Sequence, residues 1–213
     1  GDDPDAVTEN HHRVFTALGI QERRVVSPHQ VHRRRVARVE ASDGGRIILE
    51  TDALITDVPG LPLMLRFADC VPVLFYDAVH HAAGLAHAGW RGVAAEVVPA
   101  TVREMGKAFG TRPEDLWSGI GPAIGPDHYE VGLEVVEAVQ GALPSSVSVA
   151  EQRNGGWYLD LPGAVAAQLD GAGVSAVMPS EICTACHTEA WYSHRAEGGR
   201  TGRFAVMVWI AEC

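Results

Sequence analysis

The chain is short of cysteine, of basic charge and of long apolar runs. Four cysteines, Cys70, Cys183, Cys186 and Cys213, in 213 residues are too few for a disulfide scaffold, so a reducing cytoplasm is the default setting. No apolar stretch approaches the roughly 18–20 residues of a membrane-spanning helix, so no membrane role is expected. Lys and Arg number 17 against 27 Asp and Glu, a formal net charge of −10. A nucleic-acid surface would therefore have to be a local patch. The one dense basic run, HRRRVAR at 32–38, reads as a solvated strand face or edge. Repeats, linkers and low-complexity segments are absent. So is an initiating Met: the chain opens on Gly1 in GDDPDAV, without a signal-like apolar region, and a native N-terminal piece is expected to precede it.

What is present suits one domain over residues 1–213. Hydrophobic residues make up 46% and charged residues 21%, enough apolar side chain for a sizeable core. Asp3-Pro4 signals a helix start, Val7, Val14, Phe15 and Leu18 share a face, and Gly19 can close the helix. RVVS, RRVARVE, RIILE and TDALIT read as short strands. LPLMLRF, VPVLFY and AAGLAHA are near-continuous apolar runs, the pattern of strands buried on both faces. Residues 93–105 carry helical spacing, interrupted by Pro99, which should kink or split the helix. DLWSGIG predicts a strand, HYEVGLEVVEAVQ a helix, and Asp160-Leu161-Pro162 the start of another helix through Leu169. VSAVMP and RFAVMVWI close the chain as strands. Strands follow one another directly as often as they alternate with helices. The fold class is therefore α+β, with mixed sheets flanked by helices in three α/β/α-like layers.

Three residues stand at the ends of buried strands, where open sheets place their sites. Cys70 precedes VPVLFYD, His87 ends AAGLAHA, and Arg91 follows in HAGWRGV. His32, in SPHQVH between strand-like segments, joins them. Each alone suits a core position. Together, two imidazoles and a thiolate match a three-ligand zinc site whose fourth position stays open. Glycine-flanked Arg91 at a helix start suits an anion. The remaining histidines carry less: His11 and His12 lie on the first helix, and His80 and His81 lie in a turn.

Several patterns mimic other chemistry. CTACH at 183–187 has haem-attachment spacing, yet no export signal accompanies it. HTE at 187–189 copies half of a zinc deaminase signature, but Cys186 abuts His187 instead of following at a distance. A structural zinc on Cys183 and Cys186 would want two further ligands, for which His187 and His194 are the nearby candidates. SGIGPAIG lacks the lysine and Ser/Thr of a phosphate-binding loop and reads as a turn shaping a pocket wall. A cysteine hydrolase also fits, with Cys70 as nucleophile, His87 as base and Asp52 or Asp69 orienting it. That reading gives His32 no role.

QVH, TDALIT, FADCVPVLFYD, GLAHAGWRG, GIGPAIGPDHYEVG, YSHR and TGRFAVMVWI occur in this order along nearly the whole chain. With them the sequence resembles the laccase-domain family, also called YfiH-like or multicopper polyphenol oxidoreductase. The resemblance implies a single α+β domain with one zinc site on His32, Cys70 and His87. It also implies phosphorolysis of adenosine, inosine, guanosine and methylthioadenosine, with adenosine deamination as a further activity. The expected partners are thus a purine nucleoside and phosphate. Phosphate is assigned to Arg91, Arg195 and Arg203. Cys70, His87 and Asp69 are the expected catalytic residues, Asp69 as an acid/base group. Copper is the alternative metal, with phenol oxidation as its activity. A multicopper centre needs many histidines in HxH pairs, and none of the ten histidines forms one. Peptidoglycan editing is linked to some relatives. The chain is expected to act as a monomer or homodimer.

Overall fold

The computed structural model describes residues 3–212; Gly1, Asp2 and Cys213 lie outside the described residues. The strands, in chain order, are β1 (Ser27–Pro28), β2 (Val36–Arg38), β3 (Ile47–Ile48), β4 (Ala53–Thr56), β5 (Leu63–Phe67), β6 (Val71–Asp77) and β7 (Ala82–Ala88). Then come β8 (Leu116–Ile120), β9 (Glu130–Val131), β10 (Ala150–Arg153), β11 (Gly156–Leu159), β12 (Ala176–Pro179) and β13 (Phe204–Val208). The helices are α1 (Pro4–Leu18), α2 (Trp90–Ala94), α3 (Val97–Phe109), α4 (Leu133–Gln140) and α5 (Leu161–Gly171).

The main sheet has six strands in the order β12-β8-β6-β7-β4-β2. Its outer pairs, β12–β8 and β2–β4, are parallel, and its three inner pairs are antiparallel. β4 and β7 are buried along their whole length, and β6 except at its outer end near Tyr76, as their unbroken apolar runs require. One face carries Ile55, Val73, Phe75 and Ala86 against Val97, Val98 and Met105 of α3 and Val165 and Leu169 of α5. The other carries Leu54 and Leu85 against Leu63, Leu65 and Phe67 of β5 and Val206 of β13. β5 and β13 form their own antiparallel pair. Behind them, Phe15 of α1 packs with Val25 and Met64. Mixed sheets flanked by helices are therefore what the chain builds, and the middle layer is itself double.

Local signals explain the element ends. Asp3 accepts a hydrogen bond from the Asp5 N–H at 3.0 Å, and Gly19 closes α1 in the left-handed region. Of the predicted apolar face of α1, only Phe15 is buried; Val14 and Leu18 are exposed. The helix touches the body along one narrow ridge. The interruption expected at Pro99 occurs three residues earlier. Glu96 adopts φ 63° and separates α2 from α3. Pro99 then falls in the first turn of α3, where a missing N–H costs nothing because those donors have no partner in the helix.

The helix expected over HYEVGLEVVEAVQ begins only at Leu133. Glu130 and Val131 instead pair with Tyr158 and Trp157, and Gly132 is the N-cap. The strand that captures them, β11, forms a hairpin with β10 that the sequence reading passed over. Its Asn154-Gly155 turn has φ 49° and 85°, the two left-handed residues of a tight hairpin.

Phe75 is 1% exposed and packs at the centre of the helix-facing core. Phe75→Ala should cost about 3–5 kcal/mol in denaturant unfolding. Leu49→Ala, at a side chain 66% exposed, should stay within about 0.5 kcal/mol of wild type.

Candidate metal centre and substrate pocket

Three neighbouring strands set the site out in a row. β7 lies between β4 and β6, with Pro72 opposite His87 and Ala53 opposite Ala86. Cys70 immediately precedes β6, and Asp52 immediately precedes β4. The sheet register alone thus brings Asp52, His87 and Cys70 side by side. The backbone N–H of His87 bonds the Asp52 carbonyl at 2.8 Å.

His32 arrives from the loop between β1 and β2, and Asp52 captures it. The buried carboxylate accepts four hydrogen bonds. Oδ1 takes the His32 N–H at 2.9 Å and the His87 Nδ1 at 3.0 Å. Oδ2 takes the N–H groups of Val31 at 3.2 Å and Arg33 at 2.8 Å. Three consecutive amides converge on one anion, which draws His32 into φ 58°, an uncommon conformation for a residue with a side chain. Gln30 pins the same loop from its other end. Its amide donates to the Arg66 carbonyl at 2.9 Å and accepts the Arg66 N–H at 3.0 Å.

His32, Cys70 and His87 therefore meet: their ligand atoms all lie within 4.8 Å of one another. The two imidazole rings stand 4.7 Å apart at 75°. Because Nδ1 of His87 is committed to Asp52, Nε2 is the nitrogen free to ligate, the arrangement that orients metal-binding histidines. Gly89 makes the convergence sterically feasible. A Cβ there would sit 2.9 Å from Cys70 Sγ and 3.1 Å from His32 Cδ2. Two imidazoles and a thiolate at this spacing form a donor set that can hold a metal ion.

The electrostatics point the same way. Burial would raise the Cys70 thiol, but His87, with support from His32, outweighs it and brings the group down to about 6. Burial would lower His87, but the Cys70 thiolate and the Asp52 carboxylate push it up to about 9. Burial likewise opposes ionisation of Asp52. The hydrogen bonds from His87, Arg33 and His32 prevail and hold its carboxyl below the usual range.

The trio opens into a cavity of about 540 Å³. Every residue assigned to the site from sequence lines it: His32, Asp69, Cys70, His87, Arg91, Arg195 and Arg203. α2 is only five residues long, so its dipole is small and the arginines supply the positive charge. Reading the sequence had missed Arg66, His29 and Tyr129, which also line the cavity. The ring of Tyr129 lies 5.2 Å from the Arg195 guanidinium, and Arg195 donates to the Glu130 carbonyl at 2.6 Å. Burial and the nearby Cys70 thiolate push the Tyr129 hydroxyl up, so it stays protonated. Arg91 lies 4.4 Å from the ring of Trp90. Asp69, at φ 82°, accepts from Thr184 Oγ1 and from the Arg195 N–H, both at 2.7 Å. Ile124 of the glycine-rich GIGPAIG turn forms part of the wall.

His187 and His194 do not join Cys183 and Cys186. His187 pairs with Glu189 on the surface at 3.2 Å, and His194 lines the cavity. The histidine near the two cysteines is His128.

A double-layered α/β domain with a His–Cys–His donor set at the strand ends, opening into an arginine-lined cavity, defines the class of this site. The chain belongs to the family described as multi-copper polyphenol oxidoreductase laccase, which it matches over residues 1–211. It is 40% identical to purine nucleoside phosphorylase SCO2081 of Streptomyces coelicolor, over 99% of this chain and 85% of that protein. It is 37% identical to the purine nucleoside phosphorylase of Xylella fastidiosa, over 99% and 81%. The crystal structure of YlmD from Geobacillus stearothermophilus superimposes with a TM-score of 0.97 at 36% identity, covering 100% of this chain and 83% of that one.

Two outcomes follow. Between about pH 6 and 9 the metal-free site holds a Cys70 thiolate and a protonated His87, so a metal must displace one proton. Affinity for Zn²⁺ should rise about tenfold per pH unit across that window and level off above it. Calorimetry at pH 7.5 in buffers of different ionisation enthalpy should register about one proton released; a pH-independent affinity contradicts the ion pair. Gly89→Ala should cut Zn²⁺ affinity by about 10–100-fold with the fold retained by circular dichroism.

Proposed function

We propose that the chain is a zinc-dependent purine nucleoside phosphorylase, cleaving the N-glycosidic bond of adenosine, inosine, guanosine and methylthioadenosine with inorganic phosphate. Adenosine deamination is the second activity to assay. The observation that carries this reading is one cavity that joins the His32–Cys70–His87 donor set to Arg66, Arg91, Arg195 and Arg203. Relatives named purine nucleoside phosphorylase over nearly the full chain support it.

Three mixed nitrogen and sulfur ligands with an open fourth position suit zinc. When bound, zinc supplies a Lewis acid facing the cavity. Copper oxidase chemistry of the multicopper kind would need HxH pairs, which the ten histidines do not form. Arg91, Arg195 and Arg203 hold the phosphate, and Tyr129 and Asp69 keep Arg195 in place. A phosphate oxygen bonds to the ribose C1′ as the bond from C1′ to the purine breaks. The electron pair leaves with the base, which takes up a proton. Ribose is cationic in the transition state, so a phosphate dianion held beside it stabilises that charge. Asp69 is the one carboxylate among the described lining residues and serves as the acid/base group. Free thiols at Cys70, Cys183 and Cys186 accord with the cytoplasm as the working compartment.

One observation favours a second reading. Cys70, His87 and Asp52 form a thiolate–imidazole–carboxylate chain, the arrangement of a cysteine hydrolase. His32 separates the two: it would be idle in a triad, yet its imidazole stands with Cys70 Sγ in the same donor cluster, within 4.8 Å.

Incubation of inosine or adenosine with phosphate should yield free base and ribose 1-phosphate, and omission of phosphate should stop base release. Arg195→Ala should raise KM for phosphate by at least about tenfold, a loss of about 1.4 kcal/mol. Asp69→Asn should lower kcat by about 10²–10⁴-fold. Base release that ignores phosphate, or no turnover of any purine nucleoside by metal-loaded protein, sinks the proposal. Cys70→Ala that loses activity with its metal fully retained supports the hydrolase instead.

A further inference from the structure

A second donor set lies outside the cavity. Cys183 and Cys186 have C-x-x-C spacing, and the Cys186 N–H bonds the Cys183 carbonyl at 3.2 Å, closing the turn between them. The third donor comes from a distant segment: His128 Nδ1 lies 3.8 Å from Cys183 Sγ and 3.6 Å from Cys186 Sγ. All three ligand atoms fall within 4.8 Å of one another. A tetrahedral zinc with Zn–S of about 2.3 Å and Zn–N of about 2.0–2.1 Å places sulfur and nitrogen about 3.6 Å apart. Both sulfur–nitrogen edges of this cluster are already near that length.

The backbone holds the cluster together. Ala123 and Cys183 form a parallel β-bridge, with the Thr184 N–H bonding the Ala123 carbonyl at 3.0 Å. The Gly125 N–H donates to Cys183 Sγ at 3.1 Å. A Cβ on Gly125 would lie 3.3 Å from both Cβ and Sγ of Cys183, so this close approach suits glycine.

We infer that His128, Cys183 and Cys186 form a second metal site, for a thiophilic divalent cation of the zinc type. Three protein ligands hold the ion, and the fourth position faces solvent, since His128 and Cys186 are exposed. Binding sends the two thiol protons to solvent and uses neutral His128; no electrons are transferred. Two thiolates balance the charge of the cation. The site is independent of the nucleoside reading but adjoins that cavity on two sides. Thr184, between the cysteines, donates to Asp69. Tyr129, next to His128, stands against Arg195. The ion thus ties the 123–129 loop to the 182–186 turn and clamps one wall of the cavity.

Metal-depleted full chain, loaded with Zn²⁺ and freed of excess, should hold two equivalents. Cys70→Ala should keep one, the Cys183→Ser/Cys186→Ser double variant one, and the triple variant none. With Co²⁺ as probe, Cys70→Ala should still show a thiolate-to-cobalt charge-transfer band. His128→Ala should weaken that binding by more than about 100-fold, beyond what losing an outer-sphere partner costs. In the Cys70→Ala background, chelation should lower Tm. One equivalent in wild type that vanishes in Cys70→Ala and survives in the double variant overturns the site. So does a Cys183–Cys186 disulfide that persists in reductant. If the double variant fails to fold, Cys70→Ala decides alone, and no bound metal there overturns the inference.

Discussion

The buried carboxylate of Asp52 organises the site more than any ligand does. It binds the imidazole of His87 on one side and three consecutive amides of the His32 loop on the other. An anion taken out of water is costly unless its lone pairs are filled, and here four donors fill them. That satisfaction serves two ends. It orients Nε2 of His87 towards the cavity, and it keeps His32 in a backbone conformation that it would rarely adopt alone. The two imidazole ligands come from separate parts of the chain, yet their placement is one electrostatic problem with one solution.

The thiolate is the complement of that carboxylate. Cys70 and Asp52 flank His87 across adjacent strands, so a protonated imidazole between them is stabilised from both sides. In the absence of metal the site is a relay of alternating charge. A metal ion held by His32, Cys70 and His87 would take the place of the His87 proton. The rigidity of the site comes from register. β4, β7 and β6 are inner strands, buried on both faces but for Tyr76 of β6, and cannot slip without turning their whole apolar set towards the wrong layer.

The cavity wall is built on different terms. Its arginines are exposed side chains, Arg66 on β5, Arg91 on α2 and Arg195 and Arg203 on loops, the last two steered by few contacts: Arg195 by Tyr129 and the Glu130 carbonyl, Arg203 by the Thr201 and Gly202 carbonyls. Asp69 links this wall to the buried centre, since it precedes Cys70 and grips both Thr184 and Arg195. The 182–186 turn is therefore joined to Arg195 through one carboxylate.

The strand-end positions of Cys70 and His87 were legible because unbroken apolar runs announce buried strands and their last residues announce a sheet edge. The zinc-type donor set followed from residue chemistry. Asp52 appeared only as a candidate orienting group, because four hydrogen bonds to one carboxylate depend on a loop conformation that no local pattern encodes. His128 was invisible as a partner of Cys183 and Cys186 for a related reason. It lies more than fifty residues away, and the nearer His187 and His194 offered a false solution by proximity in sequence. The strand at Glu130–Val131 was read as helix, since its pairing partners in the β10–β11 hairpin lie more than twenty residues downstream. The sequence by itself determined the periodicities, the buried strands and the kinds of ligand available, all of which are local properties of side chains. Tertiary structure alone decided which histidine meets which cysteine, because that depends on strand register and loop closure between segments far apart in the chain.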